Sequence, residues 1–427
     1  MKKNVAGSIN KGRYAVNSPE AVLKEASAAL KTLRQSACSL DEYLDRVSDP
    51  QLRRRLSNLL FGCFRHRRSL EEALNSCCTR PPAEDVKDLL LAALNMAVYQ
   101  DSLAPGSVVN IAVTLARKEF NNFVARFVNA VLRKALECID TTGSEVLPKT
   151  IAKRWKKAFP TEVYNQLTEL FTSQARPTVR LRSGFAPAAG LELEPLELDL
   201  PWQFYICGDL GKLLASQEFA EGRFYIQDPA PAHVLQMLKN HADLLPEKLN
   251  FIDLCAAPGG KFIMSMELLS SLGKEVISAT AFDRSRKRLE LVKKNCMRCN
   301  INCHVQSGDA ADPAIYPGKT FDLATCDVPC SNSGVFRRRP DALWRWNTQD
   351  MLDIAELQCN ILHNAARLTA PGGLLLYSTC SLEAEENTLQ IEKFLQAQRG
   401  FELVEEKLFM PQINNDGTYA ALLIRKK

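Results

Sequence analysis

The chain has 427 residues, too many for one ordinary hydrophobic core, so two or three domains are expected. Hydrophobic residues at 46% and charged residues at 24% exclude a fibrous or broadly disordered protein, and a net charge of +5 by itself names no partner. Fourteen cysteines follow a lysine-bearing N-terminus, MKKNVAGSINKGRYAV, with no apolar stretch of signal-peptide length, and no window nears a membrane span; reduced thiols in a cytoplasmic setting are expected.

Residues 1–140 read as a helical bundle. Ser18-Pro19-Glu20 starts a helix with proline at its first position, and Leu23, Ala26, Leu30 and Leu33 recur at helical spacing. Ser39-Leu40-Asp41-Glu42 opens another, and the stretch from Pro82 to Tyr99 a third. Pro105 to Lys118 and Asn121 to Leu136 supply two more, with no strand-like alternation between them. Residues 141–229 read as a connector with two short helices near Trp155 and Tyr164, followed by a small α+β subdomain from Thr178 to Ile226. Basic runs stand out: Arg53 to Arg55, Arg65 to Arg68 around His66, Lys153 to Lys157, Arg176 with Arg180 and Arg182, and Arg337 to Arg339. They suit a polyanion, whose condensed counterions they release; solvated helix faces are the plainer reading of any one run.

From residue 230 to 427 strands alternate with helices, which gives a mostly parallel sheet covered on both faces, an α/β Rossmann-like domain. Expected strands lie at 249–254, 275–282, 302–305, 321–326 and 373–378. The loop Cys255-Ala256-Ala257-Pro258-Gly259-Gly260-Lys261 leaves the first of them, where such sheets bind ligands, and its small residues let a backbone approach a ligand closely. Asp283 follows the second strand, placed to accept hydrogen bonds from ribose hydroxyls. Asp309 follows the third, toward an adenine edge. The Gly-x-x-x-x-Gly-Lys-Ser/Thr spacing of a phosphate loop is absent, so a nucleoside cofactor without a diphosphate is expected.

Two cysteines stand at two further strand ends, Cys330 in Asp327-Val328-Pro329-Cys330 and Cys380 in Ser378-Thr379-Cys380-Ser381. Most free cysteines are packing residues, but this paired placement puts both thiols in the cofactor crevice. The stretches DLCAAPGGK, DVPCSNSGVFRRRPDALW and YSTCSLEAEEN resemble the motif set of RNA cytosine-5 methyltransferases of the Fmu/Sun (RsmB-like) family, across most of the chain. The helical N-terminal part, with VVNIAVTLARK and FVNAVLRKAL, is similar to that family's NusB-like RNA-binding domain, and RPTVRLRSG and YIQDPA fit its layout. The resemblance implies an enzyme methylating C5 of a cytosine in small-subunit (16S) ribosomal RNA with S-adenosyl-L-methionine. It makes Cys380 the nucleophile and Cys330 the thiol assisting release, with Asp327 touching the target base and the cofactor's methionine side. Cys255, Ala256, Ala257, Pro258, Gly259, Gly260, Lys261, Asp283 and Asp309 would then bind the cofactor. Cytosine C5 is a poor nucleophile, so a thiolate must first add to C6, and a base must later remove the C5 proton.

The catalytic motifs do not encode the target, which leaves transfer RNA as an alternative; a non-catalytic RNA-binding or antitermination factor is a second, against which both thiols argue. Cys296, Cys299, Cys303 and His304 have the outline of a metal site but straddle a helix end and a strand start, so packing is expected and no metal. His233 and His363 read as structural. Trp344 and Trp346, beside Arg337 to Arg339, read either as packing or as a basic, aromatic wall to an RNA cleft. A monomer with no membrane attachment is expected.

Overall fold

The computed structural model describes residues 18–36, 38–140, 147–187 and 189–427; the extreme N-terminal stretch and the start of the expected connector lie outside them. The chain forms two compact units, Met1–Thr172 and Ser173–Lys427.

Among the described residues the first unit is all helix: Pro19–Gln35, Leu40–Leu44, Pro50–Arg65, Arg67–Cys77, Glu84–Tyr99, Pro105–Glu119, Asn122–Cys138, Lys149–Ala158 and Thr161–Thr172. Starts follow local chemistry. The Ser18 hydroxyl accepts from the Ala21 N–H, and Ser39 with Glu42 forms a reciprocal capping box. Glu84–Tyr99 is the central helix, buried from Leu89 through Met96 on every face, which is why its text is apolar rather than amphipathic. Three arginines from the basic runs of this unit meet acids on its own surface: Arg53 pairs with Asp45, Arg67 with Glu71 and Arg68 with Glu72.

The expected 141–229 segment divides between the units. Its two helices stay with the first, where Trp155 is fully buried against Phe171, ring centroids 5.7 Å apart. Its strands belong to the second. There β1 (Thr178–Leu181), β2 (Leu193–Leu196), β3 (Gln203–Cys207) and β4 (Phe224–Ile226) form an antiparallel sheet in the order β2-β3-β1-β4. Phe204 and Tyr225 of this sheet enter the main core of the unit, while Val179, Leu181, Tyr205, Cys207, Leu213 and Phe224 form a small cluster of their own. Arg180, expected as part of a polyanion-binding run, has 0% exposure and pairs with Glu267, as does Arg182. A buried guanidinium needs such a partner, and this one serves packing.

The main sheet comprises β5 (Lys248–Asp253), β6 (Glu275–Asp283), β7 (His304–Ser307), β8 (Phe321–Asp327), β9 (Thr369–Thr379), β10 (Phe401–Phe409) and β11 (Thr418–Arg425). Its order is β10-β11-β9-β8-β5-β6-β7, parallel from β5 through β9 and antiparallel in the β10–β11 edge. Period-two alternation separates its two faces. Phe251, Leu323, Leu374 and Leu376 pack with helices Ala230–Asn240, Gly260–Ser271 and Arg286–Arg298. Ile252, Ala324, Leu375 and Tyr377 pack with Thr348–Leu368 and Thr388–Ala397. Each Leu, Ile or Phe among them taken from water contributes about 1.5–3 kcal/mol. The expected strands stop short of the edge hairpin, whose β10 is mostly half-buried and mixes charged with apolar residues without regular alternation. Chain order reverses between β5 and β8, and the crevice beyond their carboxyl ends is where this architecture binds ligands.

Candidate active site

The loop after β5 turns sharply through a cis peptide between Ala257 and Pro258. Gly259 follows at φ +107°, a left-handed conformation that favours glycine, and caps the helix Gly260–Ser271. Asp283, at the end of β6, is buried and accepts from the Ala257 N–H at 3.1 Å and the Ser285 N–H at 2.8 Å, so it fixes the loop. Arg288 donates to the Ala257 carbonyl. Asp309 is exposed beyond β7, its carboxylate taking the Ala311 N–H at 3.0 Å. Gly308 before it lies against the buried Phe282 ring, where a Cβ would stand 2.6 Å from a ring carbon.

Below the loop a pocket is lined by Val234, Leu235, Asp253, Lys261, Ser265, Thr325, Asp327, Leu376 and Ser378. Lys261 Nζ stands 2.6 Å from Asp327 Oδ1, and the Ser378 hydroxyl donates to the same oxygen at 2.9 Å. Burial alone would lower the Lys261 pKa; Asp327 outweighs it, leaving the pKa raised and the ammonium charged. Burial pushes Asp253 up to about 7, with Asp327 and Asp283 adding to the rise. The Thr325 hydroxyl is buried without a partner. Two acids, Asp253 and Asp327, beside one ammonium suit a ligand with positive charge and hydroxyls to donate, and oppose a diphosphate. The residues therefore fit S-adenosylmethionine, whose sulfonium and amino groups are cationic and whose ribose carries hydroxyls. Asp253, Ser265, Thr325 and Ser378 escape sequence reasoning; Asp253 alone carries a signal, as the acid that ends the strand before the loop.

The two strand-end cysteines meet. Cys330 Sγ and Cys380 Sγ are 3.0 Å apart, and Cys380 Sγ lies 3.4 Å from Asn332 Oδ1. The Cys380 sulfur, together with burial, holds the Cys330 thiol well above the usual thiol range. Backbone bonds align the two loops: Val328 N–H donates to the Ser378 carbonyl at 3.1 Å and Gly334 N–H to the Cys380 carbonyl at 2.9 Å. A Cβ at Gly334 would fall 2.9 Å from that carbonyl oxygen, so the approach requires glycine.

The basic segment after Cys330 is less open than the sequence suggests. Arg337 is buried, and Arg338 bridges Asp228 (2.6 Å) and Asp416 (2.8 Å). Arg339 is exposed, while Trp344 and Trp346 are half-buried. Arg338 is thus a latch within the fold. His233 stacks on Phe409 and His363 bonds the Cys359 carbonyl. Cys296 and Cys303 stand 3.6 Å apart, and among the described residues no group of three or more His, Cys, Asp or Glu is arranged to hold a metal. Nor, among those residues, is any helix long and apolar enough to cross a membrane.

Comparison with known proteins accords with this architecture. The profile of the family described as "16S rRNA methyltransferase RsmB/F" matches residues 241–424, and that of the NusB family matches residues 14–137. The ribosomal RNA small subunit methyltransferase B of Shewanella oneidensis is 31% identical over 361 residues, covering 80% of each chain. The probable ribosomal RNA small subunit methyltransferase B of Bacillus subtilis is 27% identical over 389 residues, 84% of this chain and 83% of that one. Among solved structures, PH0851 matches with a TM-score of 0.74 at 22% identity, over 96% of this chain and 99% of that one. NSun6 from Pyrococcus horikoshii matches with a TM-score of 0.56 at 19% identity, over 67% and 100%. These two likenesses concern the fold.

Proposed function

Since the chain belongs to the RsmB/F family of 16S rRNA methyltransferases, we propose that it methylates C5 of a cytosine in small-subunit ribosomal RNA through a covalent adduct on Cys380. The observation that carries this reading is the 3.0 Å separation of two thiols placed at the ends of β8 and β9. S-adenosylmethionine, when bound, supplies an electrophilic methyl group. The Cys255–Lys261 loop, Asp283 and Asp309 would hold its nucleoside, and Asp327 its methionine side.

The protein's own groups then have separate tasks. Cys380 attacks C6 as the thiolate, and the neighbouring Cys330 S–H, donating toward that sulfur, steadies the negative charge there. Attack turns C5 into an enamine-like carbon. Asp327, kept in place by Lys261 and Ser378, accepts from the base's exocyclic amine, and the Lys261 ammonium beside it offsets the negative charge that attack sends toward N3. Once Cys380 is a thioether its charge is gone, and with it that contribution to the raised Cys330 pKa, while burial still holds the thiol up. Cys330 can then lose its proton to water and, as thiolate, take the C5 proton. Elimination re-forms the C5–C6 double bond and frees Cys380.

Trapping tests the assignment. Cys330→Ala should accumulate a covalent protein–RNA species stable to denaturing electrophoresis, while Cys380→Ala should give neither adduct nor product. Turnover surviving in Cys380→Ala would overturn the choice of nucleophile.

A further inference from the structure

Each cysteine is followed by a serine, and both serines reach one carboxylate. Glu386 ends the short 3-10 turn Ala384–Glu386 and has 0% exposure. Its Oε1 accepts from the Ser331 backbone N–H at 2.8 Å and from Gln358 Nε2 at 2.9 Å. Its Oε2 accepts from the Ser331 hydroxyl at 2.5 Å and from the Ser381 hydroxyl. Four donors, two of them on the residue after Cys330 and one on the residue after Cys380, thus converge on a single side chain. Gln358 also donates to the Pro329 carbonyl at 2.9 Å, which extends the same clamp to the residue before Cys330. The carboxylate is itself anchored: the Tyr377 hydroxyl donates to the Glu386 carbonyl at 2.7 Å and stands 3.2 Å from Gln358 Oε1. A fully desolvated acid is expensive, and burial raises its pKa despite these four bonds. A surface residue would hold a loop at less cost, so the position calls for a function.

We propose that Glu386 is a positioning residue for the reaction: it binds the Cys330 and Cys380 loops to one carboxylate and so fixes the distance between attacking and releasing thiols. The inference rests on the reading of those two thiols as the reacting pair. Without the clamp, the two loops keep the Val328–Ser378 and Gly334–Cys380 backbone bonds, the Leu382 N–H to Ser333 hydroxyl bond at 2.8 Å, the Cys380–Asn332 contact and the contacts among the serine hydroxyls of residues 331, 333 and 381, but the residues directly after the two cysteines lose the carboxylate they share. Sulfur atoms that must act in turn on adjacent ring carbons then drift apart. A misplacement of ~1 Å costs about a hundredfold in rate.

The amide of glutamine distinguishes positioning from charge. In Glu386→Gln the carbonyl oxygen still accepts from Ser331 N–H and Gln358, and the amide nitrogen donates to the two serine hydroxyls, which can reverse their direction. Glu386→Ala has no such substitute. The experiment measures kcat, the KM for unmodified small-subunit RNA and cofactor affinity on the full chain as wild type, Glu386→Gln and Glu386→Ala. Alanine is expected to lower kcat about a hundredfold with KM and cofactor affinity within about threefold of wild type, and glutamine to restore turnover to within about tenfold. If the alanine chain gives no cooperative melt, Ser381→Ala, which removes one donor and leaves the carboxylate, is expected to lower kcat by about tenfold in the same assay. Alanine, or in that case Ser381→Ala, turning over within about threefold of wild type would overturn the inference, as would a glutamine variant as impaired as alanine. Wild type yielding no Cys380-dependent 5-methylcytidine would overturn the underlying reading of the thiols; wild type yielding it beside an unimpaired alanine variant overturns the role of Glu386 alone.

Discussion

Replacing Arg338 by methionine keeps the aliphatic stem and removes the charge that two acids share. The guanidinium sits 2.6 Å from Asp228 and 2.8 Å from Asp416, and it also donates to the Arg176 carbonyl at 3.2 Å and the Thr178 hydroxyl at 3.3 Å. The Asp416 side chain is 8% exposed and that of Asp228 13%. Taking one partner from a buried pair costs about 3–5 kcal/mol, and the partial exposure of Arg338, 24%, points to the lower end. Burial, and then Asp228, push Asp416 up to about 7, against 3.8 for a free aspartate. A carboxyl raised on folding contributes stability that is fully present below about pH 4 and is lost as pH rises through about 7. Without the arginine that rise is larger, so the variant should lose about 3 kcal/mol at pH 8 but only about 1–2 kcal/mol at pH 5.5, where Asp416 takes up a proton. Urea unfolding followed by tryptophan fluorescence reads the second unit, which holds Trp202, Trp344 and Trp346. Adding Asp416→Asn should recover part of the loss at pH 8. Equal losses at the two pH values, or a loss below about 1 kcal/mol at pH 8, would refute the view of Arg338 as a buried latch.

Two further outcomes follow from the crevice. Gly308→Ala drives a Cβ into the Phe282 ring and should cost about 1–3 kcal/mol of stability while weakening cofactor binding beside Asp309, measured by calorimetric titration; unchanged affinity would detach Asp309 from the cofactor. Burial pushes Asp253 up to about 7, so its contribution to stability is present below about pH 4 and lost as pH rises through about 7. Asp253→Asn should therefore narrow the difference in melting temperature between pH 5 and pH 8, and an undiminished difference would place the titration elsewhere.

The crevice was legible in sequence because strand ends write their chemistry locally. Cys255 to Lys261, Asp283, Cys330 and Cys380 each follow an apolar run and Asp309 a short strand, His304–Ser307, and parallel pairing from β7 through β6, β5 and β8 to β9 brings those ends to one edge. What escaped depends on partners distant in the chain. Arg180 reads as a surface base until Glu267, 87 residues away, is placed against it. Arg338 reads as RNA-facing until Asp228 and Asp416 enclose it, 110 and 78 residues away. Glu386 sits in an acidic run, AEEN, whose local text gives no hint that one of its acids is wholly buried. The boundary at Thr172 escaped for the same reason: the short strands after it form a small cluster of their own, and it is the packing of Phe204 and Tyr225 in the main core with Phe251 and Phe262 that joins them to the second unit.

The measurement closest to the central claim is transfer of labelled methyl from S-adenosylmethionine to unmodified small-subunit ribosomal RNA, with nucleoside analysis of the product and Cys380→Ala as control. The account predicts 5-methylcytidine from the wild-type chain and none from the variant. Label recovered in any other nucleoside, or 5-methylcytidine formed equally by Cys380→Ala, would contradict it.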